Sequence, residues 1–141
     1  MATITAYMTL IGEVFDPKLV TETIGIVPEI IRLPDEKLGN GRCFGHTEWS
    51  IIFVKEKCKD ISELLKTIRI QFIDKADVLL EVATACNAVW HLLFYFESTG
   101  DDMPAVYFSK NEVSFAASIG AEIGFDFDEH RAGNTGDGSL C

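Results

Sequence analysis

The sequence predicts an α+β fold, a two-layer sandwich whose mainly antiparallel sheet of about five strands carries helices on one face. Three observations point there. Apolar residues alternate with polar ones at 3–11, 47–55, 88–97 and 121–128, the period of half-buried strands. Between those stretches lie segments of helical period with capping residues at their ends. The resulting order is strand, helix, strand, helix, strand, strand, helix, strand, which has the short links of antiparallel neighbours. The chain has 141 residues, 48% of them hydrophobic, enough for one core. A single domain over residues 1–130 is expected, with a flexible Gly-rich tail at 131–141.

In the first strand Ile4, Ala6, Met8 and Leu10 point one way, and Thr3, Thr5, Tyr7 and Thr9 the other. Gly12 ends it. Asp16 is placed to cap a helix with Pro17 at its first position, and Gly25 to stop it. Leu19, Val20, Thr23 and Ile24 form its apolar stripe. Residues 26–46 read as irregular, with Pro28, Pro34 and the turn Gly39-Asn40-Gly41. A loop of that length is usually functional or mobile. The second strand, 47–55, puts Trp49, Ile51 and Phe53 on one face.

Asp60 and Glu63 have capping-box spacing. The apolar residues behind them keep helical spacing through 61–86, with a break expected near Asp74 and an end at Asn87. Trp90, Leu92, Phe94 and Phe96 mark one face of the most apolar strand, 88–97. A turn at 98–102 and a short strand or extended segment at 105–108 follow. Ser109 and Glu112 make a second capping box, for a helix ending at Gly120. The last strand is expected to turn Ile123, Phe125 and Phe127 inward, and Gly124, Asp126 and Asp128 outward. The outward face of the sheet, with Tyr7, Ile52, Val54, Val89, His91, Leu93 and Tyr95 among Thr and Asp residues, is too apolar for an idle solvated surface. Such a patch marks a partner or ligand site.

Charge narrows the choice of partner. Net charge is −10, and it is uneven: residues 1–70 hold 9 basic and 10 acidic residues, residues 71–141 hold 3 and 12. A surface that grips phosphates needs the opposite sign, so nucleic acid is not an expected partner. An acidic half attracts a basic protein instead. No apolar run is long enough to span a bilayer, and no basic-then-apolar leader opens the chain, so a cytoplasmic protein is expected. Cys43, Cys58, Cys86 and Cys141 lack the spacing of zinc or redox pairs, and Cys86 reads as a buried thiol. Cys43 and His46 form a Cys-x-x-His pair with no second pair to complete a zinc site, so neither metal nor cofactor is expected. His91 reads as a hydrogen-bonded structural histidine, and His130 has no evident partner.

Several motifs carry a family resemblance. Ile11-Gly12-Glu13-Val14-Phe15-Asp16-Pro17 leads to Thr23-Ile24-Gly25-Ile26-Val27-Pro28, and Thr47-Glu48-Trp49-Ser50-Ile51 follows. Over residues 3–128 the chain resembles the bacterial domain-of-unknown-function family four-two-seven-nine. That family shows a Gly-x-x-Phe-Asp-Pro helix start, a Leu-Gly-x-x-Pro exit, a later Trp-Ser strand, and a last helix and acidic strand similar to Ser109–Asp126. The segment 29–46 departs from the polar, basic pattern of that family. By type the chain also resembles the immunity proteins of bacterial toxin systems, contact-dependent growth inhibition among them. That resemblance implies a cytoplasmic antitoxin that plugs the active site of a cognate basic toxin domain, often a nuclease, with carboxylates standing where substrate phosphates would lie.

The residues expected to meet the toxin are Glu97, Asp101 and Asp102 at a strand end and turn, Asp126, Asp128 and Glu129 on the last strand, and Tyr95 and Tyr107 as aromatic anchors. The free protein is expected as a monomer or homodimer. Two other readings remain open. One is a small-ligand sensor using the open face or the loop 26–46. The other is a hydrolase in which Asp126 and Asp128 share a strand face with His91 and do acid–base work. No phosphate loop, nucleophile elbow or zinc-protease motif is present, so no catalytic residue is expected.

Overall fold

The computed structural model describes residues 2–57, 60–97 and 104–128. Its centre is β1 (Thr3–Gly12), whose alternation buries Ile4, Ala6, Met8 and Leu10. The strand pairs antiparallel on one side with β3 (Thr47–Lys55) and on the other with β4 (Ala88–Glu97), so that Met8 lies between Ile51 and Leu92. Beyond β3 lies β2 (Ile30–Arg32), and beyond β4 lies β5 (Glu122–Asp128), giving the order β2-β3-β1-β4-β5. Only β4 and β5 run parallel. A parallel pair needs a crossover, and α4 (Lys110–Ser118) supplies it. The α+β reading, with a mostly antiparallel five-stranded sheet under helices, therefore holds.

Two strand assignments change. Residues 30–32, expected within an irregular loop, form β2, with Ile31 opposite Trp49 and the Glu29 amide bonded to the Ser50 carbonyl at 2.9 Å. Residues 105–108 are not a strand; Ala105 makes one bridge to Asp60. Pro104 has no amide to donate there, and Phe108 packs instead against Phe94 and Phe125, with ring centroids 6.3 and 5.8 Å away.

The helix termini follow their residues, with two differences. In α1 (Pro17–Ile24) the Asp16 carboxylate accepts from the Lys18 amide at 3.0 Å. Gly25 is left-handed at φ +79°, and its amide bonds the Thr21 carbonyl at 2.8 Å. Lys75 also donates to the Ile24 carbonyl at 2.8 Å, a cation at the negative helix end. The next helix, α2 (Ser62–Phe72), starts one residue later than the capping box implies, and Asp60 accepts from the Ser62 amide at 2.8 Å and from its hydroxyl. The expected break is a 3-10 turn over Ile73–Lys75, leading into α3 (Ala76–Ala85). Ser109 caps α4, its hydroxyl accepting from the Glu112 amide at 3.5 Å. Glu112 does not reach back. Its carboxylate, 4% exposed, takes Arg69 Nε at 3.2 Å, and its Oε2 is buried without a partner.

α1 and α2 pack on β3, α3 packs on β4, and α4 lies against α2 and α3. Trp49 and Trp90 meet edge to face at 5.8 Å in the middle of the core. Each indole N–H donates a hydrogen bond, Trp49 to the Thr21 hydroxyl at 2.9 Å and Trp90 to the Leu79 carbonyl at 2.8 Å. Cys86 is buried as expected; burial first, and then Asp16, push its thiol above the ordinary range.

The turn from α3 into β4 explains Gly12. Asn87 takes a left-handed φ of 50°, which asparagine tolerates. It brings Ala88 against Gly12, where a Cβ would sit 2.9 Å from the Ala88 Cβ and 3.3 Å from the Asn87 carbonyl oxygen. Gly12→Ala should therefore destabilise the fold by about 1–3 kcal/mol, the usual cost of overpacking. A urea midpoint unchanged from the parent would show that the β1–β4 end can spread freely.

Candidate functional site

Among the described residues no helix covers the second face of the sheet, and its side chains follow from register. Tyr7, Thr9 and Ile11 of β1 lie between Ser50 and Ile52 of β3 and Val89, His91, Leu93 and Tyr95 of β4. On β5 the same face carries Glu122, Gly124, Asp126 and Asp128. Two features stand out on it.

The first is an acidic corner. Pairing sets Tyr95 opposite Asp126 and Glu97 opposite Asp128, so four of the expected contact residues come together. The Tyr95 phenol is pushed above its ordinary value by desolvation against the sheet, then by Asp128, to which it hydrogen-bonds, and by Glu97 and Asp126. All these effects disfavour a phenolate. The stability linked to this shift is fully present below the unfolded tyrosine value of about 10 and is lost as pH rises through the higher folded value. Ultraviolet titration should find Tyr95 ionising above its ordinary range. Asp128→Asn should lower the Tyr95 value, and an unmoved titration would mean that the carboxylate does not act on Tyr95.

Of the other expected residues, Asp101, Asp102 and Glu129 lie outside the described residues, as do Cys58, His130, Cys141, the turn 98–102 and the tail 131–141. Tyr107 is highly exposed, but it precedes α4 beside Phe108, which packs on the helix-bearing face. Among the described residues no contact joins Tyr107 to the corner. His91 sits opposite Glu122, with Nε2 3.4 Å from a Glu122 carboxylate oxygen, and not beside Asp126 or Asp128.

Phe125 and Phe127 face inward as expected but are not buried. They turn toward the helix-bearing face and stack on Phe94 at 5.9 Å and Phe96 at 4.8 Å. Yet they stay 38% and 45% exposed, because β5 is the outermost strand on its side. Alternation gave their face, but only topology gives their position at the edge.

The second feature is a groove of about 400 Å³ beside β2. Ile30 and Arg32 line it with Tyr7, Ile11, Leu93 and Gly124, and its floor holds the buried Thr9 and Ser50 hydroxyls, bonded at 2.7 Å. Glu48 lies 3.9 Å from Arg32 Nε and 3.7 Å from His46 Nε2. Gly124 keeps one side open, since a Cβ there would come within 3.3 Å of Leu93. Sequence reasoning missed this wall because β2 has only three residues. Cys43 is exposed, and among the described residues no group of three or more His, Cys, Asp or Glu is placed to hold a metal ion. Among the described residues no helix is long and apolar enough to cross a membrane.

The family model described as Domain of unknown function (DUF4279) matches residues 2–130. No curated protein and no solved structure matches the chain.

Proposed function

The chain belongs to the DUF4279 family, and on that premise we propose that it is a cytoplasmic immunity protein. In this reading it binds a cognate basic toxin domain, a nuclease, and occludes its active site. The observation that carries the reading is the corner where Tyr95 stands among Glu97, Asp126 and Asp128. An aromatic anchor ringed by carboxylates suits a partner site built to hold phosphates, because the carboxylates can take the Arg and Lys side chains that substrate would otherwise occupy. The uneven charge of the chain supports the same reading, since a field of one sign speeds encounter with a basic partner. The role is occlusion, and no catalytic step is assigned to Asp126 or Asp128.

The test is co-expression of the tagged protein with the products of neighbouring genes, followed by affinity capture and mass spectrometry. A stoichiometric complex with a basic domain, and loss of that domain's toxicity, is the expected result. Recovery of the protein alone, with toxicity of the neighbouring product unaffected, would overturn the reading. A second reading, a small-ligand sensor, is favoured by the groove, whose volume falls in the range of small-molecule sites. It predicts a thermal shift with a metabolite in place of a protein complex.

A further inference from the structure

The two edges of the sheet are built differently. At one edge β2 has three residues, lies between Pro28 and Pro34, and carries Arg32. Short length, proline and a cation are the usual guards against unwanted strand pairing. At the other edge β5 has seven residues, Glu-Ile-Gly-Phe-Asp-Phe-Asp, with neither proline nor lysine. Among the described residues it is paired on one side only, with β4. Its side chains also differ by face. Phe125 and Phe127 are exposed on the helix side, and Glu122 and Asp126 on the other.

We propose that the outer edge of β5 receives an extended segment of the partner as a sixth strand, and that this segment alternates apolar residues with Lys or Arg. The inference rests on the inhibitor reading and specifies its contact. A strand added here would cover the outer sides of Phe125 and Phe127 with one set of side chains and place the other set beside Asp126 and Glu122. Main-chain hydrogen bonds would give affinity, and the alternate side chains would give selectivity. A second copy of this chain is the wrong occupant. Pairing β5 with β5 would bring carboxylates against carboxylates, since every charged residue of the strand is acidic.

The experiment uses the full chain and four blocked octapeptides: one alternating Val and Lys, one alternating Val and Glu, and the Val–Lys peptide N-methylated along one edge or along the other. Hydrogen exchange is followed at each amide. At saturation the Val–Lys peptide should slow the outward amides of β5 at least tenfold and leave β2 unchanged. The Val–Glu peptide should not bind, and the peptide methylated on its pairing edge should lose the protection. Asp126→Lys should reverse the preference toward Val–Glu. Unchanged β5 exchange with Val–Lys, or equal protection by peptides methylated on either edge, would overturn the proposal. The two readings fail separately. A captured basic partner that leaves β5 exchange unaltered removes the added strand and keeps the inhibitor. Strand addition by the peptide, with no basic partner captured, removes the inhibitor and keeps the edge.

Discussion

Replacing Asp126 and Asp128 together by Lys should weaken the complex with a basic partner by about 2–5 kcal/mol, roughly thirty- to several-thousand-fold in Kd. The magnitude follows from what the partner loses. Its Arg and Lys side chains would be buried against like charges, and a desolvated charge without its counterpart costs more than the lost attraction alone. Most of the change should appear as faster dissociation, because the contact is made at short range. The association rate of the parent protein should fall steeply with added salt, since the long-range field is screened over about 10 Å at 0.1 M. Surface-resonance kinetics at two salt concentrations separates the two effects. Unchanged affinity in a folded double variant would take these residues out of the interface, and a flat salt response would remove charge steering.

Trp90→Ala should cost about 3–5 kcal/mol of folding stability. The side chain is fully buried in the core, edge-on to Trp49. Its removal leaves a cavity between β4 and α3 and strips the Leu79 carbonyl of the indole donor at 2.8 Å. Against a total of about 5–15 kcal/mol for a domain, that is a large share. Trp90→Phe keeps the ring contact and loses the hydrogen bond, so it should fall between parent and alanine variant. Urea unfolding of the three proteins gives the ranking. An alanine variant as stable as the parent would mean that the tryptophan pair is not the keystone of the packing.

How far the sequence carried these conclusions depended on the scale of the signal. β1 and β4 were legible because their large apolar residues recur at every second position and leave one register that buries a whole face. Asp16-Pro17 and Gly25 were legible because each solves a local problem at a helix end. Three residues of β2 hold too little periodicity to register, and their pairing depends on Trp49 and Ser50, far along the chain. The site divided the same way. That Tyr95 and Asp126 share a face could be read from alternation, but that they are neighbours could not, because it needs β5 to run parallel to β4. The groove was legible in part: Tyr7, His91 and Leu93 read as an open face and 26–46 as a candidate pocket, but that residues 30–32 pair with β3 and wall it could not be read.

The placement of β1 in the middle of the sheet has a consequence for biosynthesis. β1 leaves the ribosome ahead of every other described element, yet its two neighbours are encoded far downstream. At about 5–20 residues per second, on the order of ten seconds pass before β4 can reach it. Ile4, Ala6, Met8 and Leu10 line one side of a nascent strand that has both edges open until β3 emerges and one edge open until β4 follows. Until β3 emerges, the growing chain is a client for any holdase near the exit tunnel. The acidic strand β5, made after all the other described elements, can dock only on a β4 already in place. A stalled or truncated nascent chain would therefore be sticky at its start and have no surface to offer a partner.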